Sequence, residues 1–230
     1  HVPDDAPTIQ KAIELAQGDD IILVAPGNYN ESINYNGKAV TLKSIDGAAV
    51  TVLDGWNLND SVVKCISGEG PSTVLDGFTI TGGTGNEDLY SENETVGGGL
   101  LCLHSSPTIQ NCIFVDNSST YQGGAIFNGD RCNTVVQNCK IRANSSERGG
   151  GLYNSRGRPI IRDTEISDNV AKYGGGAMYN FGSNVKVISC KIKHNRAQFN
   201  GGGVYDYDSN GSVVGCVFTD NIAMYTGNAM

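Results

Sequence analysis

Apolar and polar positions recur with a fixed period, about 26 residues, through the second half of the chain. The stretch "GGGLYNSRGRPIIRDTEISDNVAKY" at 149–173 returns as "GGAMYNFGSNVKVISCKIKHNRAQF" at 175–199. Between the glycines and asparagines of each repeat, apolar and polar side chains alternate over short segments, without helical spacing. This alternation predicts short strands, and a period of roughly 20–50 residues predicts a solenoid of stacked coils. One column of the repeat is apolar throughout: Leu100, Ile126, Leu152, Met178 and Val204.

The repeat predicts an all-β fold, a right-handed parallel β-helix. Equal positions on neighbouring coils would lie about 4.8 Å apart, and each strand would pair with its copies above and below. The apolar column would face the interior, and parallel crossovers would wind right-handed. Two asparagine columns would occupy turns and form hydrogen bonds from coil to coil. These columns are Asn117, Asn144, Asn169, Asn195 and Asn221, and Asn128, Asn154 and Asn180.

The first part of the chain predicts a helix followed by less regular coils. Ile9, Ala12, Ile13 and Ala16 form one apolar helical stripe, which Gly18 would end. We expect this helix to cover the open apolar end of the solenoid. Strands are expected at 21–24, 39–44, 61–67 and 74–80. The sequence "TVLDG" occurs at 51–55 and again at 73–77, which indicates shorter coils with a step of about 22 residues.

We therefore predict one domain over residues 1–230. Its parts would be a helical cap at 1–20, shorter irregular coils at 21–96 and regular coils of about 26 residues at 97–230. "YTGNAM" at the end of the chain aligns with "YGGGAM" at 173–178, so the last coil is expected to be truncated. This pattern is typical of a piece of a longer protein, or of copies that associate end to end.

Charge is unevenly distributed along the chain. The net charge is −8, but residues 131–196 contain 12 basic and four acidic residues, whereas residues 1–130 contain four basic and 17 acidic ones. An acidic chain argues against a nucleic-acid binder, and a local basic region allows an anion site. No apolar run is long enough to span a membrane, so we expect no membrane insertion.

The seven cysteines include no CxxC pair and give no zinc signature. Cys112, Cys139, Cys190 and Cys216 share a column with Thr164 that should face inward, where a thiol packs as a small apolar group. We expect free thiols, with disulfides between coils as the alternative.

A basic face is predicted on one outward side of the solenoid. Lys140, Glu165 and Lys191 share an outward column, and Arg142 and Lys193 lie in the next one. Arg162 lies on a neighbouring strand. Regularly spaced cations suit the uronate or sulfate groups of a polymer, and in a lyase a Lys or Arg would remove a proton. The alternative is a ladder of ion pairs that balances charge between coils.

An aromatic column is predicted beside the apolar one. Phe127, Tyr153, Tyr179 and Tyr205 alternate with core positions, so they should face outward and offer a platform for sugar rings. In the reverse register they would be stacked aromatics inside the solenoid.

Two further columns bring charged groups together. Asp168, His194 and Asp220 lie on three consecutive coils, where a His between two carboxylates could act as a general base. His104, Asp130 and Arg156 form a similar column, which suits acid–base chemistry or carboxylate binding. Charge pairing in solvated turns is the alternative for both.

The loop "TGNEDLYSENETVG" at 84–97 contains four acidic residues. It could bind calcium, but a solvated loop is the preferred interpretation. We otherwise expect no cofactor and no metal.

The repeats resemble a known superfamily. "VPDDAPTIQKAIELAQGDDIILVAPGNYNESINYNGKAVTLKS" at 2–44 resembles the start of secreted bacterial proteins of the pectin-lyase-like superfamily. "SSPTIQNCIFVDNSSTYQGGAIFN" at 105–128 looks like their repeat and is similar to repeats of chlamydial polymorphic outer-membrane adhesins. The resemblance implies a right-handed parallel β-helix, an extracellular or cell-surface setting and a polysaccharide ligand.

This superfamily also includes lyases, glycosidases, epimerases, adhesins and tailspikes, so the resemblance leaves the function open. The R-x-P-x-x-R signature of pectate lyases is incomplete, because Gly157 occupies its first position before Pro159 and Arg162. Our first hypothesis is a module that binds an acidic polysaccharide or a cell-surface glycan without catalysis. The alternatives are a polysaccharide lyase, glycoside hydrolase or uronate epimerase, and a structural or adhesin segment.

Overall fold

A computed structural model describes residues 1–87 and 93–225 and shows a parallel β-solenoid with one short helix at its start. Successive coils contribute one strand each to sheets A, B and C, and the later coils add a strand to a smaller sheet D. Along a complete coil the chain passes through sheets A, B, D and C in turn. Neighbouring strands within all four sheets are parallel, as the repeat predicted.

The strands of the four sheets have the following bounds. Sheet A contains Ile21–Val24, Thr41–Ser44, Val74–Asp76, Thr108–Gln110, Val135–Gln137, Ile160–Arg162, Lys186–Ile188 and Ser212–Val214. Sheet B contains Gly27–Tyr29, Thr51–Asp54, Thr79–Thr81, Ile113–Val115, Lys140–Arg142, Glu165–Ser167, Lys191–Lys193 and Val217–Thr219. Sheet C contains Ile33–Asn34, Val63–Cys65, Leu100–Cys102, Ile126–Asn128, Leu152–Ser155, Met178–Phe181 and Val204–Tyr207. Sheet D contains Ser145–Arg148, Val170–Gly174, Arg196–Ala197 and Ile222–Ala223.

The apolar column lies inside the solenoid. Leu100, Leu152 and Met178 are fully buried and align in register along sheet C. In the later strands of sheet B the middle residue points inward, so Ile141 is buried between the exposed Lys140 and Arg142. This alternation fixes which side chains reach the surface, because successive side chains of a strand point to opposite faces.

Both asparagine columns form buried hydrogen-bond ladders. Asn169 Nδ2 donates to Asn195 Oδ1 at 2.9 Å and to the Ile141 carbonyl at 2.9 Å. Its own Oδ1 accepts from the backbone and the side chain of Asn144. This column lies in the turn after sheet B, as predicted. The column of Asn154 lies within sheet C rather than in a turn, and its side chains link neighbouring coils at 2.8 Å.

The early coils differ from the prediction. Thr41 pairs with Ile21, Val74 pairs with Thr41, and Thr108 pairs with Val74. These coils are irregular as expected, but only the first is shorter than the later repeat, and the next two are longer. The regular step appears later, where Lys186 pairs with Ile160.

The two "TVLDG" stretches are not equivalent, so the step inferred from them is wrong. Thr51–Asp54 belongs to sheet B, whereas Val74–Asp76 belongs to sheet A. Both stretches end in a glycine, but only Gly77 has a positive φ, +82°, and it turns the chain at once into sheet B. The strand expected at 74–80 is therefore two strands that meet at this corner.

The N-terminal helix α1, Ile9–Leu15, covers the first coil as expected. Ile9 and Ile13 are fully buried in the main core. Side chains from the coil satisfy both helix ends: the Glu31 carboxylate accepts from the Ile9 and Gln10 N–H groups, and Lys38 Nζ donates to three carbonyls of the last turn. Within the described residues, no helix is long and apolar enough to cross a membrane.

The cysteine column faces inward at the corner between sheets A and B. All seven cysteines are free thiols. Cys112 donates to the Gln110 carbonyl at 3.1 Å and Cys190 to the Ile188 carbonyl at 3.3 Å. Burial raises the pKa of Cys112 to about 12 and that of Cys190 to about 11. These thiols therefore behave as neutral core groups at physiological pH.

Candidate functional site

The structure places the predicted basic face on the outer side of sheet B. Lys140, Glu165 and Lys191 align on three coils, and Arg142 and Lys193 occupy the next outward column. Lys193 Nζ lies 3.0 Å from Glu165 Oε1. Lys140, Arg142 and Lys191 are exposed and form no ion pair among the described residues. The basic face is therefore one ion pair flanked by free cations, rather than a complete ladder of pairs.

Arg162 lies apart from the basic face, on sheet A. Its Nε donates to Gln137 Oε1 at 2.8 Å, and its side chain is exposed. This hydrogen bond joins two coils, so Arg162 contributes to the stacking as well as to the local positive charge.

The aromatic column points outward from sheet C, as predicted. Phe127, Tyr153 and Tyr179 stack with ring centroids 5.6 Å and 5.3 Å apart, and Tyr205 extends the stack at 5.0 Å with a tilted ring. The expectation of a fully exposed stripe is wrong at its centre, because Tyr153 is only 5% exposed. Tyr153 belongs to a second apolar cluster, outside the solenoid interior. Burial, with a smaller contribution from Tyr179, raises its pKa above the ordinary value.

This column forms the floor of a groove of about 840 Å³, here called the aromatic groove. Tyr121 and Arg148 line it on the side of sheet D. Phe181 and Tyr207 line it on the side of the turn that leads to sheet A. The remaining lining residues are Ile66, Asn86, Glu87, Val96, Leu101, Leu103, His104, Gln122, Phe127, Gly129, Asp130, Tyr153, Ser155, Arg156 and Tyr179. The structure thus separates the tyrosines, on sheet C, from the basic face, on sheet B.

Arg148 is the residue of the groove that the sequence analysis missed. Its Nη1 donates to the Tyr121 hydroxyl at 2.7 Å, and its guanidinium carbon lies 5.0 Å from the Tyr121 ring and 5.8 Å from the Tyr173 ring. Arg148 pairs with Gly174 and bridges to Gln122, so it keeps the regular step of the repeat. One sequence signal could have pointed to this side of the groove. It is a second aromatic column, Tyr173, Phe199 and Tyr225, whose spacing equals that of the repeat.

The second charged column lies at the edge of the aromatic groove. Asp130 and Arg156 approach each other, with 3.7 Å between Oδ1 and Nη1, and His104 lines the same region. The Asp130 Oδ1 atom is inaccessible to solvent and has no hydrogen-bond partner among the described residues. The Arg156 guanidinium partly balances the charge of this carboxylate, and the remainder of the Asp130 side chain is accessible from the groove.

Asp168, His194 and Asp220 also meet, on an exposed corner after sheet B. His194 Nε2 lies 3.4 Å from Asp220 Oδ2, and His194 Nδ1 lies 3.9 Å from Asp168 Oδ1. All three residues have φ between 52° and 58°, a conformation that Asn, Asp and His adopt more readily than most residues. The corner geometry therefore explains these residue types without catalysis, and none of the three lines the aromatic groove.

The acidic loop at 84–97 lies partly outside the described residues, because residues 88–92 are among those not described. Asn86–Glu87 and Thr95–Val96 pair as a short antiparallel hairpin. Among the described residues, no cluster of three or more His, Cys, Asp or Glu side chains could hold a metal ion. The end-to-end association was expected from the last six residues, and 226–230 lie outside the described residues.

Comparison with known proteins defines the class. Residues 98–228 match the family described as the right handed beta helix region, and the chain therefore belongs to this family. A relative named "Cell surface glycoprotein", from Methanothermus fervidus, is 33% identical over 158 residues, which is 68% of this chain. The match covers 24% of that relative, so the chain spans about a quarter of its length.

Proposed function

We propose that this chain is a cell-surface β-helix module that binds polysaccharide in the aromatic groove without catalysing a reaction. The observation that carries the proposal is the stack of Phe127, Tyr153 and Tyr179 along the floor of a groove of about 840 Å³. The name of the relative from Methanothermus fervidus supports the surface location. An extracellular or cell-surface setting is also what the resemblance to secreted β-helix proteins implies.

Groove shape and chemistry support a sugar ligand. Ligand sites commonly enclose about 300–1,000 Å³ and combine apolar walls with a few polar groups. The apolar faces of sugar rings pack on aromatic side chains, and hydroxyls need hydrogen-bond partners. Tyr179 supplies a half-buried ring, and the partly exposed Asp130 supplies a carboxylate at the edge of the groove. Because the more accessible rings of Phe181 and Tyr207 stack on consecutive coils at 5.5 Å, the groove suits a polymer rather than a single sugar.

The basic face is a weaker candidate for the same ligand. Its unpaired cations, Lys140, Arg142 and Lys191, could meet an acidic polysaccharide, as the sequence suggested. They are exposed, however, and contacts between solvated charges contribute little because water and salt screen them. The groove offers buried area in addition to charge, so we assign the main site to it.

One observation favours a second candidate function, a polysaccharide-cleaving enzyme. His104 and Asp130 line the aromatic groove together, and these residue types serve as acid and base in such enzymes. A groove that both binds and cleaves would release new chain ends from the polymer.

The test is affinity electrophoresis in native gels that contain acidic or neutral polysaccharides. We expect at least one polymer to retard the wild-type protein. Tyr179→Ala should abolish this retardation, and the matched control Lys191→Ala should retain it. Loss with Lys191→Ala alone would overturn the assignment to the groove. A cleared zone around the band would favour the enzyme, and free migration in every gel would favour a structural or adhesin segment.

A further inference from the structure

We infer that the aromatic groove selects glycans that bear an anionic group, and that Arg148 holds this group. The inference rests on the proposed function, because it names the class of sugar that the same groove takes. It assigns specificity to a residue on sheet D rather than to the basic face of sheet B.

Arg148 is a cation in the wall of the groove, and the charged residues near it have other partners or lie apart from it. Glu147, its neighbour in sequence, is already paired with Lys172, with 2.7 Å between Oε1 and Nζ. Asp130 is faced by Arg156. Glu87 also lines the groove, and no ion pair between Glu87 and Arg148 is found in the described part of the chain. Among the described residues, Arg148 thus has no carboxylate partner although it is half-buried.

A half-buried cation without a counter-charge favours an anion brought by a ligand. Burial weakens the hydration of the guanidinium, and the reduced dielectric strengthens its attraction for an opposite charge. The groove beside it is large enough for a sugar residue, so the anion can arrive as part of the glycan.

The aromatic contacts leave Arg148 ready for this role. The rings of Tyr121 and Tyr173 lie near the guanidinium, and one N–H group donates to the Tyr121 hydroxyl. An arginine side chain has five N–H donors in a planar fork, so four remain for a carboxylate, sulfate or phosphate. The contacts hold the fork in place before the ligand arrives, which lowers the entropic cost of binding.

A purely structural role makes a different prediction. If Arg148 only fills the position between Tyr121 and Tyr173, a side chain of similar length without charge should leave ligand preference unchanged. Arg148→Met provides this change. Arg148→Lys keeps the charge but loses the planar fork, and Arg142→Met removes the same charge from the basic face as a matched control.

The experiment measures binding by calorimetry to two matched pairs of polymers, namely carboxymethylcellulose with hydroxyethylcellulose, and dextran sulfate with dextran. We expect the wild-type protein to bind one acidic polymer about tenfold or more tightly than its neutral partner. Arg148→Met should remove this preference, so that the variant binds the acidic and the neutral polymer of the pair about equally. Arg148→Lys should retain part of it, and Arg142→Met should retain all of it. Thermal unfolding of each variant checks that the fold is intact.

The outcomes separate the inference from the proposed function. Equal binding of acidic and neutral polymers by the wild-type protein would overturn the inference alone. So would an acidic preference that survives Arg148→Met, or one that Arg142→Met removes. If the wild-type protein binds none of the four polymers, and none in the wider gel panel, the proposed function fails and the inference fails with it.

Discussion

The basic face and the aromatic groove occupy the same coils but treat their outward side chains in opposite ways. On sheet B, Lys140 and Lys191 extend into solvent. On sheet C, Tyr153 occupies the equivalent outward position and is only 5% exposed. Both columns follow the same alternation of inward and outward residues, so strand register alone does not explain the difference.

The difference comes from the neighbouring elements. Tyr121 and Arg148 rise beside the outward column of sheet C, and Phe181 and Tyr207 enclose its other side. A repeat solenoid therefore produces two kinds of surface from one pattern. Outward residues line a groove only where side chains from adjacent elements cover them, as on sheet C.

The largest expected effect is the difference in free energy of unfolding between a substitution in the aromatic groove and one on the basic face. Tyr153→Ala should lower the free energy of unfolding by about 3 kcal/mol, because it removes a buried ring from between Phe127 and Tyr179. Lys191→Ala should change it by less than about 0.5 kcal/mol. Urea unfolding followed by circular dichroism measures both values. Equal costs for the two variants would contradict the distinction between the faces.

A second prediction concerns the interior behind the basic face, where the cysteine column lies. Burial raises the pKa of Cys112 to about 12 and that of Cys190 to about 11, from an ordinary value of 9.0. Above pH 9 the unfolded chain loses these protons while the folded chain keeps them, so stability falls as pH rises. Each such thiol should cost up to about 1.4 kcal/mol per pH unit between its two pKa values.

Urea unfolding between pH 8 and 10.5 measures this loss. The slope should decrease in Cys112→Ala, and no loss from this source is expected below pH 8. The buried tyrosines of the groove should add to the slope only above about pH 10, their ordinary pKa. A slope that Cys112→Ala leaves unchanged would show that the thiols do not cause it.

Replacing one arginine on each face should give a smaller difference in stability. Arg148→Met should cost about 1 kcal/mol of stability, because it removes a hydrogen bond to Tyr121 and contacts with two rings. Arg142→Met removes an exposed charge and should cost less than about 0.5 kcal/mol. Thermal unfolding of both variants provides the comparison, and a larger loss for Arg142→Met would reverse it.

The smallest expected effect belongs to the ion pair of the basic face. Glu165→Gln removes the partner of Lys193 and should change stability by about 0.5 kcal/mol or less, since both side chains are partly exposed. The change should shrink further in 0.5 M salt, because salt screens exposed charges. A cost of several kcal/mol would mean that the basic face is a structural network after all.

Sequence reasoning predicted the columns but not their surroundings. The repeat period predicted the parallel coils, the inward Leu100 column, the outward Tyr153 column and the meeting of Asp168, His194 and Asp220, because stacking carries each position onto its copy. The period did not predict the early coils correctly, because insertions change their step. The two "TVLDG" stretches look equivalent in the sequence because sheets A and B share the same alternation of inward and outward side chains.

Arg148 was missed for a related physical reason. Its column contains Gln122 and Gly174, so no repeated residue type marks it, and its contacts come from side chains on three coils. A repeat alignment places Glu147, not Arg148, in the column of Tyr121 and Tyr173. A residue type that occurs only once in a repeated column can therefore supply chemistry that the repeat pattern does not predict.

The most direct test of the central claim is a crystal structure with an oligosaccharide prepared from the polymer that retards the protein most strongly. We predict a sugar ring packed against Tyr179 in the aromatic groove, with its acidic group at Arg148 and a hydroxyl near Asp130. An oligosaccharide bound along Lys140, Arg142 and Lys191, with the groove empty, would contradict the account.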